Sequence, residues 1–157
     1  METTTFPRVH ASYYVSNIEN TIAFYSKFFE KEPVKTKKDY AKFLLDAPSL
    51  NISFIQSPKP VKPDFIHFGI EVNDPEELKR RLGNAMHHDL PIDVEKEVKC
   101  CYAKQDKFWV TDPDGYKWEV YQFMEDVEEN DEKHAEEGAC CAPESSAVED
   151  ESASCCA

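Results

Sequence analysis

An α+β fold made of two tandem βαβββ modules is the architecture this sequence predicts, and three observations predict it. Short runs rich in Val, Ile, Tyr and Phe recur in the same order twice. Each half follows its first run with a capped amphipathic helix. Residues of special chemistry fall into register when one half is laid on the other. At 157 residues the chain is long enough for one compact body of this kind.

The first module spans about residues 8–57. Val9–Val15 reads as a strand, and Ser16 or Asn17 is placed to cap a helix in which Ile18, Ile22, Tyr25 and Phe29 recur at helical spacing. Pro33 ends that helix. Strands follow at Val34–Lys37, Tyr40–Asp46 and Leu50–Gln56, with Ala47-Pro48-Ser49 as the last turn. Residues 58–64 hold three prolines and read as a stiff linker.

The second module, about residues 65–124, repeats the order. Phe65–Val72 reads as a strand, Asn73-Asp74-Pro75 sets a cap with proline at the first helical position, and Leu78, Leu82 and Ala85 form the apolar stripe. Strands are expected at Val94–Lys99, Phe108–Thr111 and Lys117–Phe123, with Asp112-Pro113-Asp114-Gly115 as a turn. Laying His10 on His67 places Val15 on Val72 and helix on helix. Laying the last turns together places Ser53 on Glu119.

The net charge of −13 is uneven: residues 125–157 carry twelve acidic side chains and one Lys, leaving the body almost neutral. Residues 1–124 are therefore expected to form the domain. Residues 125–157 are expected to be a largely disordered tail, with a short acidic helix over 125–134. A near-neutral body excludes nucleic acid as a partner. The lack of an apolar run or signal segment excludes a membrane span and points to the cytoplasm. All six cysteines sit in adjacent pairs, Cys100-Cys101, Cys140-Cys141 and Cys155-Cys156. Neighbouring thiols cannot staple distant segments, so a reducing compartment and soft-ion or redox chemistry are the better reading.

Two constellations carry the chemistry. His10 and His67 begin the first strand of each half, and Glu119 lies in the last strand of the second, flanked by Trp118 and Val120. If the modules pack as pseudo-symmetric partners, their first strands come side by side. Two imidazoles and a carboxylate then form a three-ligand metal set with open positions, as non-haem Fe(II) oxygen chemistry uses and as Zn(II), Mn(II) and Ni(II) also accept. Ser53, at the fourth symmetric place, is a poor ligand and leaves that corner open. Cys100 and Cys101 lie between two strands with Lys99, Lys104 and Lys107 around them. Those cations favour thiolates able to clamp a thiophilic ion such as trivalent arsenic.

Four segments together, His10-Ala-Ser-Tyr-Tyr-Val, Asp64-Phe-Ile-His67-Phe-Gly-Ile, Cys100-Cys-Tyr-Ala-Lys-Gln-Asp-Lys and Trp109-Val-Thr-Asp-Pro-Asp-Gly-Tyr-Lys-Trp-Glu119, resemble the organoarsenical C–As lyase family. That family lies within the vicinal oxygen chelate, or glyoxalase/bleomycin-resistance/extradiol-dioxygenase, superfamily, and cadmium-induced proteins are similar. The resemblance covers about residues 8–124 and implies a cupped mixed sheet. It implies Fe(II) held by His10, His67 and Glu119, with dioxygen as cosubstrate. It also implies a trivalent organoarsenical, such as methylarsenite or an aromatic arsenical, bound by Cys100 and Cys101. A homodimer is one option for the assembly. Two other readings compete: a thiol-rich protein that sequesters arsenic or cadmium without turnover, and another dioxygenase, isomerase or thiol transferase of the same superfamily.

Overall fold

The computed structural model describes residues 6–63, 66–100 and 103–128, with only the backbone at Cys100. Cys101, both tail cysteine pairs and residues 129–157 lie outside the described residues, and with them most of the expected tail. The first module runs β1 (Val9–Val15), α1 (Ile18–Phe28), β2 (Lys35–Lys37), β3 (Tyr40–Leu45) and β4 (Leu50–Gln56). The second runs β5 (His67–Val72), α2 (Pro75–His87), β6 (Ile92–Cys100), β7 (Ala103–Thr111) and β8 (Lys117–Asp126).

Each module makes one four-stranded mixed sheet, ordered β1-β4-β3-β2 in the first and β5-β8-β7-β6 in the second. The first strand of each module runs parallel to the last, and the other pairings are antiparallel. The repeat seen in the sequence is a register in space. Ser12 pairs with Ser53 in one sheet, and Gly69 pairs with Glu119 in the other.

Strand alternation gives each sheet a core face and an outer face. Val15, Phe43, Ile52 and Phe54 of the first sheet are buried with Ile70, Phe108, Val110, Trp118 and Val120 of the second, in a single cluster. Helix α1 joins the halves. The Tyr25 ring stacks on Phe54 at 4.3 Å, its hydroxyl donates to Asp112 Oδ2 at 2.8 Å, and Trp118 Nε1 donates to that hydroxyl at 2.9 Å. The first strands of the two halves meet through Tyr13 stacked on Phe68 at 5.2 Å. Desolvation holds the Tyr13 and Tyr25 hydroxyls well above the ordinary phenol range.

The turns follow their residue chemistry. Asn17 caps α1 by accepting from Asn20 N–H, and Asp74 caps α2 by accepting from Glu76 N–H ahead of Pro75. Asp112 accepts from the N–H of both Asp114 and Tyr116, and Gly115 takes the left-handed φ of 93° that closes this turn.

Three boundaries differ from expectation. Helix α1 ends at Phe28, ahead of Pro33, because the chain turns at Glu30 with φ 53°. Strand β7 starts at Ala103, five residues early, since its polar stretch pairs in ladder fashion with both β6 and β8. Strand β8 runs through Asp126, with Glu125 opposite Lys104 and Asp126 opposite Ala103. A helix beginning at Glu125 is thereby excluded. Among the described residues no helix is long and apolar enough to cross a membrane.

Candidate metal centre

The outer face of the second sheet carries the residues of interest. On β5, His67 and Gly69 point away from the core, because the intervening Phe68 and the following Ile70 point into it. Glu119 shares that outer face on β8, between Trp118 and Val120, both of which are buried. His67 and Glu119 thus sit on neighbouring strands two positions apart in register, since His67 pairs with Lys117 and Gly69 with Glu119.

The absence of a side chain at Gly69 leaves room beside the carboxylate. A Cβ there would lie 3.9 Å from Glu119 Oε2 and 3.6 Å from the ring of Tyr121. The other oxygen, Oε1, accepts a hydrogen bond from Lys107 Nζ at 2.9 Å. Lys107 is fully buried, lies 3.5 Å from Glu95 Oε2, and stands 5.2 Å from the centre of the Trp109 ring. Trp109 meets His67 edge to face at 5.5 Å. Burial and the Glu71 carboxylate together raise the Tyr121 hydroxyl above its ordinary range.

His10 occupies the equivalent place on β1, exposed, on the outer face of the other sheet and opposite Asn51. Among the described residues no three His, Cys, Asp or Glu side chains come together in a way that could hold a metal ion. The two sheets share one buried cluster and meet through Tyr13 of β1 and Phe68 of β5, and the three expected ligands lie on the faces of their strands opposite that cluster. His67 and Glu119 form an imidazole–carboxylate pair suited to a divalent first-row ion, with a carboxylate oxygen turned toward the glycine of the histidine strand. They supply two ligands of three.

Cys100 ends β6 opposite Ala103, and Cys101 lies outside the described residues. Lys104 is ion-paired with Glu97 at 3.5 Å. Lys107, by its alternation along β7, reaches Glu119 and Glu95. The signal was in the sequence, because Lys107 and Trp109 share a strand face. Ser53 is buried and hydrogen-bonds Tyr40 at 2.9 Å.

A sequence profile of the Glyoxalase/Bleomycin resistance protein/Dioxygenase superfamily matches residues 8–120. The chain belongs to this superfamily. It is 42% identical to a trivalent organoarsenical cleaving enzyme of Bacillus sp. strain MD1, over 94% of this chain and 97% of that one. It is 34% identical to the trivalent organoarsenical cleaving enzyme of Thermomonospora curvata, covering 88% of this chain and 91% of that one. The cadmium-induced protein CadI of Mycobacterium tuberculosis is 33% identical, over 85% and 92% of the two chains. Among solved structures, a glyoxalase/bleomycin resistance protein/dioxygenase from Alicyclobacillus acidocaldarius superposes with a TM-score of 0.64 at 16% identity, over 80% of this chain and 96% of that one. FosX from Listeria monocytogenes, in a complex with Mn(II), gives 0.54 at 16% identity, over 71% and 86%. These likenesses show the same two-module fold.

Proposed function

We propose that this protein is an Fe(II)-dependent enzyme that uses dioxygen to cleave the carbon–arsenic bond of trivalent organoarsenicals. The observation that carries this reading is the 42% identity, nearly end to end, with a trivalent organoarsenical cleaving enzyme. The outer-face pair of His67 and Glu119 supports it, as does the adjacent pair Cys100-Cys101 in the sequence that links β6 to β7.

The chemistry balances on dioxygen alone. Methylarsenite and one dioxygen give formaldehyde and inorganic arsenite. The methyl carbon is oxidised, dioxygen is reduced, and arsenic remains trivalent. Cys100 and Cys101 would bind arsenic through soft thiolate sulfur and keep it on the second sheet, raising its local concentration beside His67 and Glu119. Glu119 and His67, with His10 as third ligand, would hold the iron, which when bound supplies activation of dioxygen. His10 lies exposed near the start of β1, the strand that meets β5 through Tyr13 and Phe68.

The decisive assay loads the protein with Fe(II) without oxygen, adds methylarsenite, and then admits air. Equimolar arsenite and formaldehyde are expected. Tight binding with no product would favour the sequestration reading instead, which the paired cysteines also fit.

A further inference from the structure

Lys107 carries a charge where burial makes charge expensive. Its side chain has no solvent exposure, and it sits on the sheet face away from the hydrophobic core, between Glu119 and Glu95. Buried ion pairs contribute little net stability compared with well-packed apolar side chains, because desolvation of each charge offsets their attraction. The arrangement therefore asks for a role beyond stability.

The geometry supplies one. Lys107 donates to Oε1 of Glu119 at 2.9 Å, which leaves Oε2 as the free oxygen. Oε2 is the oxygen turned toward Gly69, on the strand that also carries His67. The same Lys107 stands over Trp109, whose ring meets the His67 ring edge to face. One buried cation is thus linked directly to the carboxylate and, through the indole, to the imidazole. Glu95, 3.5 Å away, offsets its charge; without that carboxylate, an ammonium so close to Glu119 would repel an incoming cation. Metal-binding carboxylates commonly need such an outer hydrogen bond to hold their orientation.

We propose that Lys107, balanced by Glu95, is a positioning residue that fixes the Glu119 carboxylate so that Oε2 alone faces a divalent cation beside His67. This rests on the reading of His67 and Glu119 as metal ligands. It makes Glu119 a one-oxygen ligand and leaves other positions on the cation for small molecules.

Binding of Mn(II) to the full chain, followed by electron paramagnetic resonance, tests this without turnover, and the hard ion avoids the thiols. K107M is expected to weaken Mn(II) binding about 10- to 100-fold. K107Q, which keeps a neutral donor one bond shorter, should recover part of that loss, a rescue that a merely structural role would not produce. Should K107M destabilise the fold, K107Q and E95Q carry the test. E95Q should weaken binding, because the ammonium is then unbalanced. Wild-type or tighter Mn(II) binding by K107M, alongside lost binding in E119A, would overturn the proposal and leave the metal reading standing. Unchanged binding in both H67A and E119A would instead sink the metal reading itself.

Discussion

On the outer face of the first sheet, Ser53 hydrogen-bonds Tyr40 and His10 stands in solvent. At the equivalent places of the second sheet, Glu119 is held by a buried ammonium and His67 packs against an indole. The core faces show no such divergence: both are lined with aromatic and branched side chains that merge into one cluster across helix α1. The contrast separates two jobs. Core faces must match each other, because they share one buried volume. Outer faces face no such constraint, so one can be furnished with charge while the other stays plain.

The largest effect expected from this comparison concerns the shared core. Phe54→Ala in the first module and Trp118→Ala in the second should each cost about 3–5 kcal/mol, since both side chains are fully or almost fully buried. Calorimetry should show a single transition in each case. Two separable transitions would mean that the modules are independent and that the core is not truly common.

Next comes the asymmetry of the outer faces. Glu119→Gln should lower arsenite release from methylarsenite by more than about 100-fold, exceeding what loss of an outer partner costs. Ser53→Ala, at the matching position, should leave turnover little changed. It should cost only about 1 kcal/mol of stability through the lost bond to Tyr40. Equal losses of activity from both variants would erase the distinction between the faces.

A smaller effect tests the joint between modules. Tyr25→Phe removes the hydroxyl that serves both Asp112 and Trp118, and should cost about 1–3 kcal/mol in chemical denaturation. The same network gives a pH dependence of known sign. Burial raises the folded-state ionisation of Tyr13 and Tyr25 above the unfolded value of 10.0. The folded chain therefore keeps these protons longer, and its advantage is complete below pH 10 and lost as pH rises beyond it. Unfolding midpoints across that range should fall for the wild type and fall less for Tyr25→Phe.

Smallest of all should be removal of the acidic segment. A chain ending at Glu128 keeps the whole of β8, whereas one ending at Met124 would cut two residues from its ladder with β7. The longer truncate should retain turnover with methylarsenite, with Cys140-Cys141 and Cys155-Cys156 only assisting capture. Complete loss of activity would make those thiols part of the working site.

Much of this molecule was legible beforehand. The strand at Leu50–Gln56, the caps at Asn17 and Asp74, and the turn at Asp112–Gly115 follow from local chemistry, and the structure has them where the residues dictate. The pairing of Ser53 and Glu119 as equivalents followed from laying turn on turn, and the register agrees. The early start of β7 was not legible, because Gln105 and Lys107 read as polar surface and are instead buried.

By itself, then, the sequence determined the order of elements, the repeat, and the side chains able to bind a metal or a soft ion, since periodicity, caps and residue chemistry act over a few neighbours. Only the tertiary structure decided which of those side chains meet. His67 and Glu119 share one face of the second sheet, while His10 lies on β1 of the first, the strand that meets β5 through Tyr13 and Phe68. It also decided that Lys107 is buried against Glu119, because strand pairing, not sequence distance, sets which charges are buried together.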